Sequence, residues 1–205
     1  MALCNLKGRV VVNGWVYQPA EAQINMLLDE TLVDSVATLL HPYARFHRCE
    51  IGTQEAHPIR VQHEGEDNLA VPDSEFFFSI ETPELAHNRQ DPLLASFQAF
   101  LIDQKVPLIS AATSEKYLPQ MINLVETGAI DFHKGCYLGQ EIVARAQHRG
   151  KVKKTLHCVE WQGEVPTIGD RYEIQDSKYE CILNFVTHAP NAGRALAVGA
   201  VQALQ

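Results

Sequence analysis

Cysteine is scarce in this chain: five occur in 205 residues, at positions 4, 49, 136, 158 and 181. The count is odd, the spacing irregular, and no C-x-x-C is present. That argues against a disulfide scaffold and predicts reduced thiols in a cytoplasmic setting. No iron–sulfur cluster of its own is expected either, because four suitably spaced cysteines are missing. There is no run of about 18 apolar residues, so no membrane span is expected. The opening MALCNLKGRVVV lacks the basic stretch, apolar run and cleavage site of a secretory leader. Basic residues are outnumbered, 17 Lys and Arg against 25 Asp and Glu, for a formal charge of −8. General attraction to a nucleic-acid backbone is disfavoured at that charge, and nucleic acid is an unlikely partner. Nine histidines are present, but His47-Arg48-Cys49, His157-Cys158 and the His133/Cys136 pair all lack a second zinc-type ligand pair. No metal site is expected. Internal repeats and low-complexity segments are absent as well.

What remains is ordinary globular composition, long enough for one large domain or two small ones. Residues 9–17, RVVVNGWVY, predict a strand bent at Asn13-Gly14. Gln18 to Glu21 predict a turn, and the alternation of Ile24, Met26 and Leu28 predicts an antiparallel partner. Leu32, Val33, Val36, Leu39 and Leu40 recur at helical spacing, with Pro42 as the expected stop. Arg48–Gly52, Ile59–His63 and Phe76–Ile80 are strand candidates, the last of them buried, with HEGEDNLAVPDSE as a surface loop. Pro92 is expected to open a helix with Leu93, Leu94, Phe97, Phe100 and Leu101 on its apolar face. A second helix is expected after Thr113, carrying Tyr117, Met121 and Leu124, and a third over Leu138–His148. After Gly150 the texture changes to short strands at 152–161, 171–175, 179–187 and 194–201, the pattern of a small β-barrel or sandwich. A boundary near Lys151 follows, with domains at 1–150 and 151–205.

The segment 130–154, IDFHKGCYLGQEIVARAQHRGKVKK, carries the chemistry. A thiol reacts as its thiolate, so the surroundings of Cys136 decide its role. Lys134 precedes it by two residues and a helix start is predicted just after it; both favour negative charge there. Gly135 and Gly139 permit tight backbone. Glu141 opposes a thiolate, yet it suits the first turn of a helix and stands four residues before Arg145, a surface-pair spacing. On these grounds Cys136 is open between a reactive and a structural thiol. The basic run Arg145, His148, Arg149, Lys151, Lys153 and Lys154 is either a solvated face or a lure for an anion: a polyglutamate tail, a phosphate or an acidic partner.

Lys134-Gly135-Cys136-Tyr137-Leu138-Gly139-Gln140-Glu141 resembles the K-G-C-Y-x-G-Q-E signature of the YgfZ family. Pro119-Gln120, Asn123-Leu124, Gly128 and Phe132 resemble the family's approach to it, and Val143-Ala144-Arg145 and Gly150-Lys151-Val152 its exit. Lys7-Gly8-Arg9 resembles an early K-G-R segment, and Leu196-Ala197-Val198-Gly199 a closing strand. The match is sharp from 119 to 153. Many members read R-I-x-x-G-x-P where this chain has Leu101 to Pro107, without the arginine and the glycine.

The resemblance implies an α+β fold: a T-protein-like folate-binding α/β body with a central cavity, then a small C-terminal β-barrel. K-G-R stands early here, so a short or N-terminally truncated member is expected, its body lacking the usual first segment. The implied function is a tetrahydrofolate-binding accessory protein in assembly or repair of iron–sulfur proteins. Folate and iron–sulfur client or assembly proteins are its partners. Cys136 is the implied acting residue with Lys134, and Gly135, Tyr137, Gly139, Gln140, Glu141, Arg145 and Asn123 are its motif or folate-pocket companions. Two alternatives stand beside it: a folate-dependent aminomethyltransferase-type enzyme, and a non-catalytic binding module in which Cys136 packs in the core.

Overall fold

The computed structural model describes residues 1–53, 59–62, 69–70, 77–80, 92–150, 152–174 and 177–201. It is a mixed helix-and-sheet molecule with several small sheets. β1 (Ala2–Cys4) and β2 (Val10–Asn13) pair antiparallel, Leu3 opposite Val12. Alternation turns Val10 and Val12 inward, and both are fully buried. The bend expected at Asn13-Gly14 is a clean break. β3 (Trp15–Ala20) leaves β2 and pairs with β4 (Gln23–Leu27), reversing at Glu21-Ala22. Buried Asn13 makes the break rigid. Its Nδ2 donates to the Pro107 carbonyl (2.7 Å) and its Oδ1 accepts from the Ile109 N–H (2.9 Å).

Asp29 opens the first helical segment by accepting from the Thr31 N–H (3.0 Å), a side-chain cap. α1 (Val33–Phe46) follows, and Pro42 lies inside it rather than ending it. Proline there removes a bond to the carbonyl four residues back. The final turn still closes, with the His47 N–H reaching the Tyr43 carbonyl (3.0 Å). The strand expected at Arg48–Gly52 does not form. Arg48 takes a left-handed φ of 57° and the Cys49 N–H bonds back to the Ala44 carbonyl (2.8 Å), so the chain is still leaving the helix.

A three-stranded antiparallel sheet, order β5-β7-β6, joins β5 (Ile59–Gln62), β6 (Leu69–Ala70) and β7 (Phe77–Ile80). The strands expected at 59–63 and 76–80 are thus present, apart from His63 and Phe76, which lie outside the described residues. β6 interrupts the loop expected at 63–75, and the rest of that loop also lies outside them, as does the burial expected of 76–80. α2 (Pro92–Asp103) starts at its proline, as expected. Phe97, Phe100 and Leu101 are buried, while the Leu93 and Leu94 side chains lie outside the described residues.

No helix follows Thr113, contrary to the expectation. Ser110 and Thr113 bond each other instead: the Ser110 N–H donates to Thr113 Oγ1 (3.0 Å), and the Thr113 N–H to the Ser110 carbonyl (3.0 Å). Such local bonds compete with a helix. Glu115 then takes φ 60°, and only a 3₁₀ turn, Pro119–Ile122, forms before Asn123 goes left-handed at φ 64°. α3 (Gln140–Arg149) begins two residues later than expected, because Gly139 at φ 78° stands outside it.

β8 (Lys154–Gln162), β9 (Tyr172–Ile174), β10 (Ser177–Ala189) and β11 (Ala192–Ala200) match the four expected C-terminal strands. They do not close into a barrel. The described strands form an open antiparallel sheet in the order β8-β11-β10-β9, with β8 and β9 as its edges. A body packed on one face does what closure would otherwise do. Cys181, Leu183 and Val198 of the sheet join Val10, Val12, Ile109, Ile122, Leu124 and Val143 in one core. Trp161, Ile182 and Ala197 fill a second cluster. α2 lies against β10, where Ile102 meets Val186 and Leu196. Arg194 forks onto the Asp103 carboxylate at the end of that helix. No helix among the described residues is long and apolar enough to cross a membrane.

Candidate functional site

The motif loop is held by a glycine against a glycine. Gly139 sits on the turn Asn5–Arg9: a Cβ on Gly139 would lie 2.3 Å from the Asn5 carbonyl oxygen and 2.8 Å from the Gly8 backbone. Gly8, at φ 67°, rests in turn on Ile142 and Val143 of α3. Asn5 shapes that turn. Its Oδ1 accepts from the Lys7 N–H (2.9 Å) and the Arg9 N–H (3.0 Å), and its carbonyl accepts from the Gly8 N–H (2.9 Å). The early K-G-R segment and the G-Q-E segment are therefore two halves of one contact. Sequence reading paired them only by resemblance and missed Asn5, whose signal is the turn-forming spacing Asn5-x-x-Gly8.

On this frame the chain enters α3 through Tyr137. The Gln140 N–H donates to the Tyr137 carbonyl (3.2 Å), and the Tyr137 N–H donates to Gln140 Oε1 (3.3 Å), a reciprocal clamp at the helix start. Lys134 folds back so that its Nζ lies 4.9 Å from the centre of the Tyr137 ring, a cation–π contact. Cys136 lies between these two residues and is exposed, as is Gly135. Glu141, which could have opposed a thiolate, is paired: its Oε1 accepts from Arg145 Nη2 at 2.6 Å. Asn123 serves elsewhere, its Nδ2 donating to the Lys105 carbonyl (3.1 Å).

A buried thiol lies within electrostatic reach of Lys134 and Tyr137. Cys4 belongs to the core, and burial pushes its pKa up to about 11, with Lys134 pulling weakly the other way. The Tyr137 hydroxyl is enclosed without a hydrogen-bond partner. Its pKa is raised, first by burial, then by Cys4 and Asp131. The five thiols thus divide. Cys4 and Cys181 are buried and held protonated, while Cys49, Cys136 and Cys158 face solvent. A pocket of about 480 Å³ lies apart from the motif, lined by His41, Ala44, Arg45, Cys49, Glu50 and Ile51.

The arrangement defines a class first: an α+β protein that displays one thiol on a framed loop. No family model matches the chain. Known proteins do. It is 51% identical over 69 aligned positions to the tRNA-modifying protein YgfZ of Colwellia psychrerythraea, covering 34% of this chain and 21% of that one. It is 38% identical over 130 positions to the tRNA-modifying protein YgfZ of Pectobacterium carotovorum, covering 58% of this chain and 38% of that one. The protein of the same name from Serratia proteamaculans is 37% identical over 128 positions, covering 57% and 38%. The chain spans less than two fifths of the length of these curated relatives. With the signature at 134–141, these matches make it a member of the YgfZ family.

Proposed function

We propose that the chain is an accessory protein of tRNA modification whose working group is the Cys136 thiol. The carrying observation is the placement of that sulfur: exposed, on a loop fixed by the Gly139–Asn5–Gly8 contact. An exposed thiol on a fixed loop is accessible for nucleophilic or exchange chemistry. The relatives' name supplies the process. The family resemblance supplies the finer reading, in which the partners are iron–sulfur client or assembly proteins.

Tetrahydrofolate is proposed as the cofactor on the same resemblance. The motif side chains do not form a cradle for it, since Gln140, Glu141 and Asn123 are bonded to protein groups. We therefore route no step through it. Equilibrium titration of the purified chain with tetrahydrofolate tests that assignment.

The thiol reading is tested in a host lacking its own copy, by mass spectrometry of the nucleosides from digested tRNA. Cys136→Ser is expected to lose the rescue that Cys49→Ser and Cys158→Ser retain. Full rescue by Cys136→Ser, with normal folding, would refute it.

A further inference from the structure

Three large apolar side chains stand in the open around the motif: Leu6 is 77% exposed, Leu138 46% and Ile142 38%. They belong to segments in direct contact, because Gly139 packs on Asn5 and Gly8, and Gly8 packs on Ile142. Isolated exposed leucines need no explanation, but three on touching segments form a patch. Its rim is basic, with exposed Lys7 beside Leu6 and exposed Lys134 two residues before Cys136. The sequence from 133 to 154 holds six Lys or Arg against one acid, in a chain whose formal charge is −8. That acid, Glu141, is paired with Arg145, and the exposed Asp131 just before this stretch accepts from the His133 N–H (2.7 Å).

Building on the thiol reading, we infer that this face docks a protein segment that is both acidic and apolar, and delivers it to Cys136. The apolar centre favours a polypeptide over RNA, whose phosphates have no use for exposed leucine and isoleucine. The lysine rim selects acidic partners locally, against the sign of the whole molecule.

The test uses the full chain with Cys49→Ser and Cys158→Ser, so that Cys136 is the one exposed thiol. Short peptides carry a central cysteine capped as a mixed disulfide with thionitrobenzoate. The Cys136 thiolate attacks the peptide sulfur, a protein–peptide disulfide forms, and coloured thionitrobenzoate leaves with the electron pair. One peptide has Leu and Glu flanking the cysteine, a second has Lys for Glu, and a third Ser for Leu. The Leu/Glu peptide is expected to react about tenfold faster than the Leu/Lys peptide at low salt, a ratio that shrinks at high salt. Lys7→Glu and Lys134→Glu should each reduce or invert that ratio. Leu6→Ser with Ile142→Ser should remove the advantage of Leu over Ser. Equal rates for the acidic and basic peptides overturn the inference. So does a preference that survives the rim variants, or protection of Cys136 by tRNA without any peptide preference. The result is independent of rescue by Cys136→Ser: a cellular failure of the thiol role leaves a charge-selective face, and an unselective face leaves the thiol role standing.

Discussion

Replacing Gly139 by alanine tests the frame of the candidate site. Its backbone lies at φ 78°, where an L side chain costs about 1–2 kcal/mol. The added Cβ would also stand 2.3 Å from the Asn5 carbonyl oxygen and 2.8 Å from the Gly8 backbone, so backbone rather than a flexible side chain must yield. Forced overpacking of this kind costs about 1–3 kcal/mol more. The sum is about 3 kcal/mol, and at a urea dependence of about 2 kcal/mol per molar it lowers the unfolding midpoint by about 1.5 M. Gly135, four residues earlier in the same motif, provides the control. A Cβ there meets nothing within 4 Å, so Gly135→Ala should shift stability by no more than about 0.5 kcal/mol. The assay is urea unfolding followed by circular dichroism on both variants. If the two midpoints coincide, Gly139 does not clamp α3 to the Asn5–Arg9 turn, and the fixed presentation of Cys136 loses its support.

Other outcomes follow from the same contacts. Asn13→Ala removes two buried hydrogen bonds and strands the Pro107 carbonyl and Ile109 N–H, so a loss of about 2–4 kcal/mol is expected in denaturant unfolding. Cys4 is raised to about 11 in the folded protein, against 9 when unfolded. Its contribution is therefore intact below pH 9 and lost as pH rises toward 11, by at most about 2–3 kcal/mol. Cys4→Ala should flatten the stability profile in that window, and an unchanged slope would contradict the burial of this thiol. Under native conditions iodoacetamide should modify Cys49, Cys136 and Cys158 well before Cys4 and Cys181, read by peptide mass mapping. Asp103→Asn breaks a partly exposed pair with Arg194 and should cost under about 1 kcal/mol at low salt and less at high salt.

Much of the fold could be read from local chemistry. The β-rich run at 9–17, the proline opening α2 and the four C-terminal strands carry their signals in a few neighbouring residues, whereas the turn expected at 18–21 falls at Glu21-Ala22 because Gln18 to Ala20 belong to β3. The misreadings arose where a tertiary or near-neighbour bond overrode the local pattern. Pro42 marks a stop only if the turn after it fails to close, and here it closes. The stretch after Thr113 has helical spacing, but Ser110, Thr113 and left-handed Glu115 turn the chain aside. Barrel and open sheet share the same strand pattern, because closure depends on what covers the edges and faces. At the site, the helix expected over Leu138–His148 put Glu141 in its first turn, where α3 has it. It could not show that Glu141 would pair with Arg145, that Asn123 would reach Lys105, or that Asn5 and Gly8 would seat Gly139.

The common cluster of Val10, Val143, Leu183 and Val198 bears on any attempt to dissect the molecule. Cleaved after Gly150, the leading fragment would show bare aliphatic surface where Cys181, Leu183 and Val198 had rested, and the trailing sheet would be left with a raw underside. Neither piece should persist as a well-behaved monomer. Co-expression of the severed halves should instead recover a nicked heterodimer, and heating the intact chain should melt both regions in one cooperative step.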